Sequence, residues 1–181
     1  MILAVIDCGT NTFNLLIVEV KPDHSVTKVF NTRYAVKLGE GLLSQSIINE
    51  AGLHRAHFAF QNFSKLINQY HVEKTVAFGT SAIRDASNGN DFVQSVLNQY
   101  GIKIAIIDGN KEADLIYLGV RQAVKLNSNI SLIMDIGGGS NEFILANDTK
   151  VFWKQSFKLG AARLIEKFKP EDKISLKTIY L

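Results

Sequence analysis

A chain of 181 residues with 46% hydrophobic and 20% charged residues has an ordinary globular make-up, long enough for one good core or two small domains. Its net charge of +3 comes without a Lys/Arg block, which argues against a dedicated nucleic-acid binder, and the single cysteine, Cys8, excludes a disulfide framework and a cysteine-rich metal cage. No apolar run approaches the ~20 residues of a membrane span, and residues 1–6 lack a basic leader and a cleavage signal, so a cytoplasmic protein with no membrane partner is expected.

Residues 1–6 read as a buried strand and residues 12–20 as a second, with Pro22-Asp23 as a turn signal. Residues 26–31 and 34–38 alternate like two half-exposed strands, which makes the opening an antiparallel meander. Gly39-Glu40-Gly41 breaks it. A helix follows over residues 49–70, with Leu53, Ala56, Phe60, Phe63 and Ile67 on one face. Residues 75–78 read as a strand, 91–100 as a helix and 102–107 as a strand. Asn110 can cap a helix running to about residue 126. Strands over 131–135, 142–146 and 151–157 come next, then a helix over 160–168. This order suits mixed sheets with helices on their faces.

The opening pattern occurs twice. "AVIDCGTNTFNLLIV" and "LIMDIGGGSNEFILA" share an apolar strand, Asp, one residue, Gly, a small polar turn, Phe and a second apolar strand. In this alignment Asp7 matches Asp135, Gly9 matches Gly137, and Phe13 matches Phe143 after a two-residue gap. Turns without Cβ atoms let successive N–H groups converge on anionic oxygen, above all phosphate. Neither copy leads from strand to helix as a dinucleotide fingerprint does, and no G-x-x-x-x-G-K-[ST] motif occurs. A lone glycine triplet is equally a tight hairpin; two copies, each preceded by Asp, favour the anion reading. Asp7 and Asp135 fit turn formation, but beside a phosphate site they make sense mainly with a divalent cation between them. Mg²⁺ prefers such oxygen ligands, and Glu142 can add a third carboxylate.

Four segments, "IDCGTNTFNLLIVEV", "GTSAIRDASN", "IIDGNKEADLIYLGV" and "MDIGGGSNEF", resemble in order and spacing the exopolyphosphatase/guanosine pentaphosphate phosphohydrolase family. That family lies within the superfamily of sugar kinases, actin and heat-shock chaperones. "FKLGAARLIEKF" resembles the segment that follows. The resemblance implies an α/β, ribonuclease H-like mixed sheet with flanking helices, the actin-like ATPase fold. It implies two such domains, the first over residues 1–127 and an incomplete second over 128–181. The implied activity is release of terminal phosphate from inorganic polyphosphate, or alternatively from guanosine pentaphosphate, by water. Gly9, Thr10, Asn11 and Thr12 would clasp phosphate from one side of a cleft, and Gly137, Gly138, Gly139 and Ser140 from the other. Arg84 would reach the same anion, Glu112 would be the general base, and Asp135, Glu142 and Asp7 would organise Mg²⁺ and the attacking water. A homodimer is also implied.

Other readings stand beside these. Glu112 sits in the first turn of its helix, where a carboxylate suits the dipole, and Arg84 can pair with Asp85 or Asp114. Cys8 reads as a packed residue, His54 and His57 as a solvated or half-buried face, and Phe58, Phe60 and Phe63 as core or domain packing. Lys111 and Asp114 depart from the family's pattern and alter the charge order around Glu112. "KISLKTIYL" reads as the start of an amphipathic helix, so the chain is expected to be cut short within its second domain. A phosphate-binding module without turnover and a small-molecule kinase of the same superfamily are the competing functions.

Overall fold

The computed structural model describes residues 1–169, so the helix expected at "KISLKTIYL" lies outside the described residues. A five-stranded sheet is built from β1 (Ile2–Cys8), β2 (Thr12–Val20), β3 (Val26–Ala35), β4 (Lys74–Gly79) and β5 (Ile104–Ile106), in the order β3-β2-β1-β4-β5. The first three strands are antiparallel neighbours, and β4 and β5 run parallel to β1. Between them come α1 (Leu42–Gln45), α2 (Glu50–Gln69), α3 (Ser81–Asp85) and α4 (Gly89–Tyr100), and after them α5 (Gly109–Ala123). A second sheet follows, β6 (Ser131–Ile136), β7 (Asn141–Ala146) and β8 (Val151–Phe157) in that order and all antiparallel, then α6 (Ala161–Phe168).

Period-two alternation puts Ala4, Ile6 and Cys8 of β1 and Phe13, Leu15 and Ile17 of β2 on one fully buried face. The apolar stripes of α2 and α4 cover it. Phe60 and Phe63 from α2 and Phe92 and Val96 from α4 complete the core, with Phe13 and Phe60 meeting edge to face at 5.6 Å. A second, smaller core joins Ala113 and Tyr117 of α5 to Ile144 and Ala146 of β7. Although α5 precedes the second sheet in the chain, its buried face therefore belongs to that sheet.

Several local expectations are corrected. Residues 26–31 and 34–38 are not two strands: β3 is continuous, because Phe30, Thr32 and Tyr34 stay in phase opposite Ile17, Leu15 and Phe13. The irregularity falls instead between Ile17 and Val18. Asn110 does not cap α5; the Asp108 carboxylate accepts from Lys111 N–H at 2.7 Å, so the helix starts two residues earlier. The periodicity predicts neither of the short helices α1 and α3. Phe58 is 60% exposed and touches Tyr34 by its edge, so it is not core.

The repeated unit is real, but its frame differs from the alignment by sequence. Asp7 pairs with Asn14 across β1–β2, and Asp135 with Glu142 across β6–β7. Both turns span the same number of residues, so Phe13 corresponds to Asn141 without a gap and Asn14 corresponds to Glu142.

Candidate active site

The carboxyl ends of the parallel strands β1, β4 and β5 form one row, with Cys8 beside Gly79 and Gly79 beside Ile106. In open α/β sheets ligands bind beyond such ends, where the chain leaves the sheet. Residues 9–12 leave β1 here, α3 with Arg84 follows β4, and α5 with Glu112 follows β5. Backbone bonds tie the row together. Thr80 N–H donates to the Cys8 carbonyl at 3.3 Å, and Ile107 N–H to the Gly79 carbonyl at 3.0 Å.

Against this row the second sheet sets its matching turn. Gly9 N–H donates to the Thr12 carbonyl at 3.1 Å and Gly137 N–H to the Ser140 carbonyl at 2.9 Å. A Cβ on Gly9 or Gly137 would lie within 2.9 Å of that same carbonyl oxygen, which accounts for glycine at both. The two turns pack directly on each other. A Cβ on Gly138 would come 2.9 Å from the Asn11 side chain, and one on Gly139 2.5 Å from Thr10 Oγ1. Thr10 and Ser140 are buried in this seam. The turn carbonyls are held elsewhere: Asn11 accepts from Val36 and Lys37 amides, Gly137 from Ala161 and Gly138 from Ala162. The amides of Thr10, Asn11, Gly138, Gly139 and Ser140 donate none of these bonds, which leaves them as the groups able to meet an anion. A cleft of about 530 Å³ beside Asn11, Thr12, Lys37, Glu40 and Ala162 adjoins the first turn, but none of Asp7, Glu112, Asp135 and Glu142 lines it.

Arg84 and the acidic residues meet in one cluster. Arg84 Nη1 donates to the Ile107 carbonyl at 3.0 Å and lies 3.4 Å from Glu112 Oε2. Glu142 is 1% exposed and accepts from Ser156 Oγ at 2.6 Å. Burial first, and then the charge of Glu142, push the Glu112 carboxyl up to about 7, although Arg84 opposes the shift. Asp7, which accepts from Asn14 Nδ2 at 3.2 Å, is also raised, by burial first and with a contribution from Asp135. Glu112 thus sits between one cation, Arg84, and the charges of Glu142 and Asp7, while Asp135 lies near enough to Asp7 to raise it. Asp85, by contrast, is balanced by Arg84, Lys158 and Arg163.

Residues 16–180 match the Ppx/GppA phosphatase family. The chain belongs to this family. It is 36% identical over 179 residues to a bifunctional 3-dehydroquinate synthase/phosphatase of Fusobacterium nucleatum, covering 94% of this chain and 27% of that protein. Against exopolyphosphatase 1 of Mycobacterium tuberculosis it is 31% identical over 172 residues, 95% of this chain and 50% of that protein. The crystal structure of an exopolyphosphatase from Cytophaga hutchinsonii superimposes with a TM-score of 0.94 at 40% identity, covering 98% of this chain and 56% of that one. The chain thus spans between about a quarter and about half the length of these relatives. Its architecture, mixed α/β sheets with flanking helices, is that of the Ppx/GppA structures, as the resemblance implied.

Within this Ppx/GppA chain, no group of three or more His, Cys, Asp or Glu side chains among the described residues is arranged to hold a metal ion on its own. The donors nevertheless suit Mg²⁺, which is bound by one or two carboxylates together with substrate phosphate oxygens and waters more often than by a protein cage. Asp7 and Asp135 are the pair suited to this, since their side chains still reach solvent even though Asp7 is set deep enough for burial to raise its carboxyl, whereas buried Glu142 accepts from Ser156. Cys8 is fully buried, which pushes its thiol up and leaves it a packing residue. His57 packs half-buried on Phe92 and Tyr100. Glu40 pairs with Arg55 at 2.7 Å and lines the side cleft.

Two structural devices escaped the sequence reading. Asp114, a departure from the family's pattern, pairs with Lys154, whose Nζ also donates to the Asn110 carbonyl at 3.1 Å, so the site helix α5 is clamped to β8. Arg163 of α6 reaches Gly139, Ser81 and Asp85. Neither belongs to a turn or a glycine pattern; an acidic residue at the sixth position of a helix and a cation on a later element are the signals.

No helix among the described residues is long and apolar enough to cross a membrane.

Proposed function

We propose that the protein is a Mg²⁺-dependent exopolyphosphatase, releasing terminal phosphate from inorganic polyphosphate by attack of water. The observation that carries this reading is the Glu112 carboxyl. It is poised at about 7, 3.4 Å from Arg84 and close to the charge of Glu142, on the helix that follows β5 in the same row of strand ends from which the first turn leaves β1. A general base works best when its pKa lies near the working pH. Glu112 accepts a proton as the water oxygen attacks the terminal phosphorus; the bridging P–O bond breaks, and the shortened polyphosphate leaves. Amides of residues 10–11 and 138–140, with the Arg84 fork, stabilise charge on the transferred group. Asp7 and Asp135 would hold the cation, which neutralises phosphate charge that these carboxylates alone would repel.

Phosphate release from polyphosphate, with and without Mg²⁺, tests the reading, and guanosine pentaphosphate and ATP with a sugar acceptor serve as comparisons. Glu112→Gln is expected to lower kcat about 10²–10⁴-fold while polyphosphate still binds. Unchanged turnover in this variant would remove the general-base role. Binding without release by the wild type would leave a phosphate-binding module, and sugar phosphorylation would make the protein a kinase.

A further inference from the structure

The two turns of the repeat hold their carbonyls by different means. In the first, the Asn11 carbonyl is gripped by two backbone amides, Val36 and Lys37, both at 2.9 Å. Its counterpart in the second turn is Gly139, and no backbone amide among the described residues donates to that carbonyl. Arg163 takes this place: its Nε donates to the Gly139 carbonyl at 2.6 Å. The same guanidinium reaches Ser81 Oγ at 3.2 Å and the Asp85 carboxylate, both on α3 of the first half of the chain. Arg163 is 14% exposed, and only a gap of about 10 Å³ separates it from Thr10, Gly39 and Leu42.

We propose that Arg163 is a positioning residue of the phosphate site, fixing the Gly139–Ser140 peptide so that the glycine turn presents its amides to an anion. Glycine peptides have little steric resistance to rotation, and a planar peptide points its carbonyl and its amide in opposite directions. Holding the Gly139 carbonyl toward α6 therefore directs the Ser140 amide away from α6. Asp85 and Ser81 keep the guanidinium in one orientation, and Asp85 is itself held by Lys158 at 3.1 Å. A lysine at 163 has one ammonium and no planar fork, so it cannot serve both the Gly139 carbonyl and Asp85 in this geometry.

The inference rests on the anion-binding reading of the turns, and its test separates the two. Wild-type, Arg163→Gln, Arg163→Lys and Asp85→Asn proteins are compared by amide hydrogen exchange over residues 138–140, by tripolyphosphate binding with Mg²⁺, and by the KM and kcat of phosphate release. Arg163→Gln is expected to speed exchange at these amides about tenfold and to raise Kd and KM about tenfold, with kcat within about threefold. Arg163→Lys falls between wild type and Arg163→Gln. Asp85→Asn, whose amide oxygen can still accept from the guanidinium beside Ser81, keeps the bond to Gly139 and leaves exchange at 138–140 and Kd within about twofold of the wild type even if it melts at a lower temperature. Unaltered exchange in Arg163→Gln, or equal effects of Asp85→Asn and Arg163→Gln on exchange and Kd, would reduce Arg163 to an ion pair between the halves. If the wild type binds no tripolyphosphate, the anion reading of the turns fails, while the exchange data still decide whether Arg163 fixes the peptide.

Discussion

At the scale of single residues, Glu112 shows a conflict between folding and chemistry. A carboxyl whose folded pKa is about 7, against an ordinary 4.5, binds its proton more tightly in the folded state than in the unfolded one. The unfolded chain loses that proton first as pH rises, so stability falls between about pH 4.5 and 7 and levels off above. Glu112→Gln removes this linkage. The variant is expected to be more stable than wild type by about 1–2 kcal/mol at pH 8 and nearly equal at pH 4, as read by thermal melts at both pH values. A gap of the same size at both would mean that the carboxyl is not desolvated. For turnover the sign is reversed, because the base must be ionised: phosphate release should rise with pH through about 7. The sequence alone does not separate this role from a helix-dipole carboxylate. What separates them is Glu142, thirty positions later on another sheet, and Arg84, twenty-eight positions earlier.

At the scale of elements, the long periodic segments were legible and the short ones were not. Strand β2 and the face of α2 were readable because alternation and the 3.6-residue period persist over many residues. The five residues of α3 are too few for a period, yet α3 carries both Arg84 and Asp85. Choosing between Asp108 and Asn110 as the cap of α5 needed geometry, since either residue type can accept from the first turn. The repeat was visible from Asp and Gly, but its frame was misjudged because Phe13 and Phe143 look alike while turn length sets the register. How α5 is seated was invisible as well. A Cβ on Gly109 would fall 2.6 Å from Ser156 Oγ, the hydroxyl that also bonds Glu142. Gly109→Ala is therefore expected to push α5 off β8 and destabilise the fold by about 1–3 kcal/mol. It should also disturb the Ser156–Glu142 contact, and a pH–rate profile should show the acid limb displaced from that of the wild type. A variant with wild-type melting and an unchanged limb would mean that α5 can move aside without cost to the site.

At the scale of the molecule, the candidate site belongs to neither sheet alone. Arg84 and the first turn come from the five-stranded sheet, Asp135 and Glu142 from the three-stranded one. Glu112 sits on α5, which precedes the second sheet in the chain yet packs against it. Polar contacts join the halves at this level: the packed turns, Arg84 on Glu112, the Arg163 bonds to Ser81 and Asp85, and Lys158 on Asp85. These polar contacts join the halves at the site, so an anion and a cation that bridge them should add to stability more than either adds alone. The negative excess of Asp7, Glu112, Asp135 and Glu142 over Arg84 makes the polyanion alone unfavourable, and the cation alone lacks its phosphate ligands. Saturating Mg²⁺ with tripolyphosphate, at about a hundred times Kd, is expected to stabilise the fold by about 2.7 kcal/mol, seen as a raised melting temperature in scanning calorimetry of the Glu112→Gln protein, which does not consume the ligand. Mg²⁺ alone or tripolyphosphate alone should give less than half of that shift, and Asp7→Asn combined with Asp135→Asn should abolish the difference between joint and separate addition. If the two ligands act additively in the wild-type turns and carboxylates, the cation and the anion are not sharing one site, and the assignment of Asp7 and Asp135 to the cation falls with it.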